Sequence, residues 1–286
     1  MMRFLRPSNR NARLFVGLLL GGLFFVQCTH TQAYKQSQLV SYVDGKVVGK
    51  NAPSVQAELE KLARTDHLGL LHRCMDNYKG RFQSYTCALV KQERLAGSLG
   101  DEQEIRVKFL DSPFSVAMKW VRNAPLGDQL LYVEGNYKGN MLVKPKGLLA
   151  HLVGTVLRKP DGPDAMKNTL RPVNLFGFER GLKSLVDVYA LARSRGESTE
   201  SFGGYCDVAG RPALMLVRIL PNRPEYPACR TNVYIDTEYM VPICVEGYDW
   251  DNQLTCRYVY KDLKVNVNLT SDDFTPAANG MAEPKP

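Results

Sequence analysis

Ser115-Val116-Ala117-Met118-Lys119-Trp120 alternates without a break, with Val116, Met118 and Trp120 on one side and Ser115, Ala117 and Lys119 on the other. A period of two marks a strand with one buried face. The neighbouring segments repeat the theme. Tyr85 to Arg94, Glu104 to Leu110, Gln129 to Glu134 and Met141 to Lys144 are short strand-like runs separated by Gly, Asn and Pro turns. Such spacing predicts an antiparallel meander.

The pattern recurs further along, at Tyr205–Val208, Ala213–Leu220, Thr231–Asp236, Val241–Tyr248, Thr255–Tyr260 and Lys264–Leu269. In the second of these, Met215, Val217 and Ile219 share a face opposite Arg218. Helical spacing is confined to three places. Val55, Leu59 and Leu62 follow Ser54, a natural N-cap; Leu68, Leu71, Met75 and Tyr78 follow Asp66; Leu182, Leu185, Val186 and Tyr189 precede Gly196. Leu148 to Asn174 is broken by Gly154, Pro160, Gly162, Pro163 and Pro172 and reads as a long loop with short ordered pieces.

Many strands with few helices predict an α+β fold: a strongly curved antiparallel sheet or unclosed β-barrel with helices packed in its concave face. The expected layout is an export signal over 1–33, a linker over 34–52, one domain over 53–276 and a disordered tail over 277–286. The inward alternation nominates Val116, Met118, Trp120, Met215, Val217 and Ile219 as the lining of an apolar cavity.

The N-terminus carries Arg3, Arg6, Arg10 and Arg13 with no acid, then the apolar run Leu14 to Val26. That is the pattern of a signal peptide. Ala33 offers a cleavage point, and Cys28 is a candidate lipidation site that would tether the protein to a membrane. The formal charge is +8. Removing four arginines and no acids leaves a mildly basic chain, which suits contact with a membrane surface but gives no nucleic-acid footprint.

Six cysteines remain beyond Cys28: Cys74, Cys87, Cys206, Cys229, Cys244 and Cys256. Their even number and dispersion read as a disulfide framework in an oxidising compartment, the periplasm or envelope. A hairpin centred on Trp250 would set Cys244 opposite Cys256; Cys74 would pair with Cys87, and Cys206 with Cys229 by elimination. No metal or cofactor is indicated. His67 and His72 have the wrong spacing for a metal pair on a helix. His151 has no visible partner. Asp249, Asp251, Asp272 and Asp273 sit where Asp caps turns.

Two groups of residues carry a resemblance. One is Tyr85-Thr86-Cys87-Ala88-Leu89-Val90-Lys91-Gln92-Glu93-Arg94, with Pro113-Phe114 and Leu131-Tyr132-Val133-Glu134-Gly135. The other is Val233-Tyr234-Ile235-Asp236, Val241-Pro242-Ile243, Tyr248-Asp249-Trp250 and Leu263 to Leu269, running into Asp273-Phe274. Together they resemble a family of exported bacterial proteins of unknown function, common in planctomycetes. More distantly, they are similar to the lipoprotein carriers LolA and LolB. The distant resemblance implies an open barrel holding acyl chains, hence a non-enzymatic envelope protein whose partner is a lipid or lipidated protein. The alternative is an envelope structural or protein-interaction module with a filled core.

Overall fold

The computed structural model describes residues 39–43, 45, 51–125, 127–147 and 154–284. The export signal over 1–33, Cys28, Ala33 and His151 lie outside the described residues.

Among the described residues, thirteen strands form one antiparallel sheet. They are β1 (Val40–Val43), β2 (Ser84–Leu95), β3 (Ser98–Leu99), β4 (Gln103–Leu110), β5 (Ser115–Arg122), β6 (Gly127–Val133) and β7 (Met141–Pro145), followed by β8 (Val156–Arg158), β9 (Thr199–Val208), β10 (Arg211–Ile219), β11 (Arg230–Asp236), β12 (Pro242–Tyr248) and β13 (Leu254–Val265). The order across the sheet is β1-β9-β10-β11-β12-β13-β2-β4-β5-β6-β7-β8, with β3 paired only to β2. The two ends, β1 and β8, do not meet, so the barrel is unclosed. Tight hairpins set the antiparallel order. Between β9 and β10, Ala209 and Gly210 both take positive φ, as a two-residue hairpin turn requires.

Helices α1 (Pro53–Thr65), α2 (His67–Tyr78) and α4 (Phe178–Ser194) lie in the concave face; α3 (Pro163–Met166) is a single turn. Asp66 caps α2 by accepting from the Gly69 N–H at 3.0 Å. The first helix starts two residues earlier than expected: the N-cap position is Ala52, Pro53 occupies the first turn and Ser54 makes no cap. On α4 the buried residues Leu182, Leu185, Tyr189 and Ala192 form one stripe. It packs with Leu59, Leu70 and Leu71 of the other helices onto Leu214, Leu216, Val233 and Ile235 of the sheet.

That contact corrects the expected register of β10. Leu214 and Leu216 face the helices, so Met215, Val217 and Ile219 lie on the opposite side. A β-bulge in β9 accompanies the shift, and a Cβ on Gly203 would meet the side chains of Met215 and Val217. Ile219 is 44 % exposed.

Within 34–52, β1 pairs with β9, and the Asn51 amide donates to the Thr237 and Glu238 carbonyls. Of the tail over 277–286, residues 277–284 are described and turn back on the outer face. There Met281 and Phe274 pack with Leu110, Ala117, Leu131 and Leu142.

No disulfide joins the six described cysteines. The β12–β13 hairpin is longer than expected: Cys244 pairs with Val259, and Cys256 with Gly247. Asp249 organises this wider turn by accepting from the Asp251 and Gln253 N–H groups. The three-residue slip puts Cys244 and Cys256 on opposite faces. Burial pushes the Cys74 thiol up to about 12 and the Cys206 thiol up to about 11.

Candidate ligand cavity

The concave face is not filled by the helices alone. Between α4 and strands β2, β4, β5 and β6 lies a cavity of about 570 Å³. The sheet contributes Leu89, Ile105, Met118, Trp120 and Leu130, and α4 contributes Phe178 and Leu185. Further wall comes from β7, β12 and β13 and from the Gly/Pro-rich stretch between β7 and α4. Val156, Pro160, Ala165, Thr169 and Val173 of that stretch all face the space.

The register orders the wall by depth. The residues of β2 on this face run Tyr85, Cys87, Leu89, Lys91, Glu93. Opposite them, Phe109, Val107, Ile105 and Gln103 of β4 pair with Tyr85, Cys87, Leu89 and Lys91. The inner end is aromatic. Tyr85 stacks on Phe109 with ring centroids 4.6 Å apart, and Phe178 lies 4.8 Å from both Tyr85 and Tyr260. Gly177 makes this end possible. Its φ is +98°, and a Cβ there would fall 2.8 Å from the Phe109 ring. The middle is aliphatic, built from Leu89, Ile105 and Met118.

The outer end is polar. Lys91 Nζ lies 2.9 Å from Glu93 Oε2, with both side chains nearly covered. The Tyr258 hydroxyl donates to Glu93 Oε1 at 2.5 Å. Thr169 Oγ1 accepts from Lys91 at 3.0 Å and lies 3.3 Å from Glu93 Oε1. The Trp120 indole donates to Gln103 at 2.8 Å. Burial, then the neighbouring Cys256 and Glu93, hold the Tyr258 phenol far above its ordinary range, so it stays a neutral donor.

Of the six nominated lining residues, Met118 and Trp120 face the cavity. Val116 is fully buried in the core beside it. Met215, Val217 and Ile219 lie on the other face of the sheet. The polar rim and the loop-built wall were not foreseen. Nothing in the local sequence distinguishes Lys91 and Glu93 from the solvent-facing charges of a strand.

Among the described residues, no group of three or more His, Cys, Asp or Glu is placed to hold a metal. His67 is buried, with Nε2 2.8 Å from the Ala63 carbonyl. Asp273 caps its own turn at Thr270. Among the described residues, no helix is long and apolar enough to cross a membrane.

Residues 82–282 match the family described as "Protein of unknown function (DUF1571)". The chain belongs to the DUF1571 family. The matched span contains every residue that lines the cavity. No curated protein matches the chain.

Several solved structures are similar to the chain at low identity. MucB, in the Pseudomonas aeruginosa MucA/MucB complex, is 16% identical over 75% of this chain and 62% of its own, with a TM-score of 0.44. This DUF1571 chain thus spans about three fifths of MucB. The Mycobacterium tuberculosis lipoprotein LppX is 13% identical over 71% of this chain and 97% of its own, with a TM-score of 0.41. A LolA superfamily protein from Nitrosomonas europaea is 8% identical over 73% and 97%, with a TM-score of 0.31.

Proposed function

We propose that this protein is a non-enzymatic, exported envelope protein that binds the acyl part of a lipid or lipidated protein inside its open barrel. The cavity carries this reading. Its volume of about 570 Å³ falls in the range of small-molecule sites, and its inner end and middle are aromatic and aliphatic. A buried apolar surface of this kind gains on the order of 25 cal/mol for each Å² it shields from water. Met118 adds an adaptable, polarisable wall. Export is supported by the basic and apolar N-terminus, with Cys28 as the candidate anchor.

The test is native mass spectrometry of protein purified from its envelope, followed by organic extraction. The expected result is a co-purifying acyl compound that is lost in Met118→Asp and Leu130→Asp, two half-buried positions where the fold should persist. Circular dichroism of both variants checks that. A clean unliganded mass, together with failure of the purified protein to take up any acyl probe, would overturn the reading. The interaction-module alternative would then stand.

A further inference from the structure

The deeper cavity wall explains apolar binding, but it does not explain the charges at the outer end. Lys91 and Glu93 sit at 8% and 3% exposure. A buried ion pair of this kind contributes little net stability, because desolvation offsets the attraction. An apolar pair would close the wall as well. Four cationic side chains face the cavity (Lys91, Arg158, Lys167 and Arg171), against the acids Glu93 and Asp164. Asp164 is engaged by Lys167 at 3.3 Å and Arg158 at 4.0 Å. Glu93 is engaged by Lys91.

Arg171 is left over. Among the described residues, no carboxylate or carbonyl accepts from its guanidinium. It follows Thr169 by two residues, and Thr169 touches both Lys91 and Glu93. It is also close enough for its charge to act on Tyr258 and Tyr260. Lys91 has three N–H donors. Thr169 and Glu93 leave at least one of them unassigned. Lys91, Glu93 and Arg171 together therefore present one net positive charge, with spare donors, at the polar end of an apolar tube.

We propose that this end is a head-group site for a single-chain amphiphile bearing one negative charge, held by Lys91 and Arg171 with its tail running inward past Leu89. The proposal rests on the acyl-binding reading above and names the ligand class for the same cavity. Glu93 and Tyr258 act as positioning residues. They hold the Lys91 ammonium at the rim while the ligand's anion meets Lys91 and the Arg171 fork. Size fits one chain. At about 30 Å³ for a water-sized group, 570 Å³ accommodates about nineteen such groups.

The test uses the purified protein after delipidation and three probes of equal tail length: dodecanoate, 1-dodecanol and dodecanoyl-lysophosphatidylglycerol. Affinities are measured by isothermal titration calorimetry below the aggregation limit of each probe. Two charge-assisted contacts should favour at least one anion over the alcohol by on the order of 10-fold or more. Arg171→Gln should remove most of that preference and leave alcohol binding unchanged. Arg171 is exposed and unpaired, so this variant should fold. Preference for dodecanoate assigns the site to a carboxylate, and preference for the lysolipid to a phosphodiester; either supports the head-group site. Equal affinity for all three probes, unmoved by Arg171→Gln, overturns it while leaving the acyl cavity standing. Failure of all three to bind overturns the acyl reading itself.

Discussion

Lys91 Nζ and Glu93 Oε2 meet 2.9 Å apart on the cavity side of β2, two residues apart and therefore on one face of the strand. Neither can be removed alone without cost. Lys91→Met leaves a carboxylate covered and without its cation, which typically costs about 3–5 kcal/mol. The double variant Lys91→Met/Glu93→Leu should recover most of that loss. Urea unfolding of the two variants and the parent checks this. A single variant as stable as the parent would show that Glu93 is wetter than it looks.

His67 gives the fold a pH dependence. It is buried against the Ala63 carbonyl and beside Tyr189, with Glu200 3.9 Å away and Asp66 and Arg193 nearby. Burial lowers its pKa despite the pull of Glu200. The unfolded chain therefore binds this proton more readily than the folded one. Stability supplied by the neutral ring is present above the ordinary histidine range, near pH 6.5, and is lost as pH falls through the lower folded value. The urea midpoint should drop between pH 7.5 and pH 5, and His67→Gln should flatten that drop.

Gly177 is the backbone opening at the base of the cavity. Gly177→Ala places a methyl group against Phe109 at a φ that side chains rarely adopt. The combined strain and overpacking should cost about 2–4 kcal/mol. Thermal unfolding measures it, and an unchanged midpoint would mean that Phe109 can move aside.

The C-terminal turn works as an outer clamp. Met281 is 6% exposed among Leu131, Leu142 and their neighbours. Met281→Ala should lose about 2 kcal/mol or more, the range for a buried methionine. Truncation after Pro276 should lose at least as much in a denaturant titration.

The cysteines should behave as thiols. Iodoacetamide added to native protein should reach Cys229, which is half-buried, well before the fully covered Cys74 and Cys244. Non-reducing peptide mapping should find no bridge among the six described cysteines. A Cys206–Cys229 bridge in material from the envelope would contradict the thiol state.

The sheet was legible wherever one face was polar. The alternation through Val116, Met118 and Trp120 named the side that meets the cavity, because Lys119 could only point away. In Leu214-Met215-Leu216-Val217 both faces are apolar, so alternation alone could not choose between them, and the bulge beside Gly203 has no local signature. The Cys244–Cys256 pairing failed over turn length, since Asp249 spans a wider loop than a hairpin centred on Trp250 allows. The polar rim was hidden differently. Lys91 and Glu93 are ordinary strand charges until Thr169, far along the chain, covers them.

The wall contributed by residues 154–176 has a practical consequence. Most of the barrel's interior is fixed by strand register, and altering it disturbs many pairings at once. This stretch meets the sheet through the edge strand β8 and through side chains such as Thr169 and Phe176, yet it forms one side of the binding space. Ligand preference can therefore be re-cut, or transplanted between relatives, by exchanging a single contiguous segment while the scaffold stays as it is.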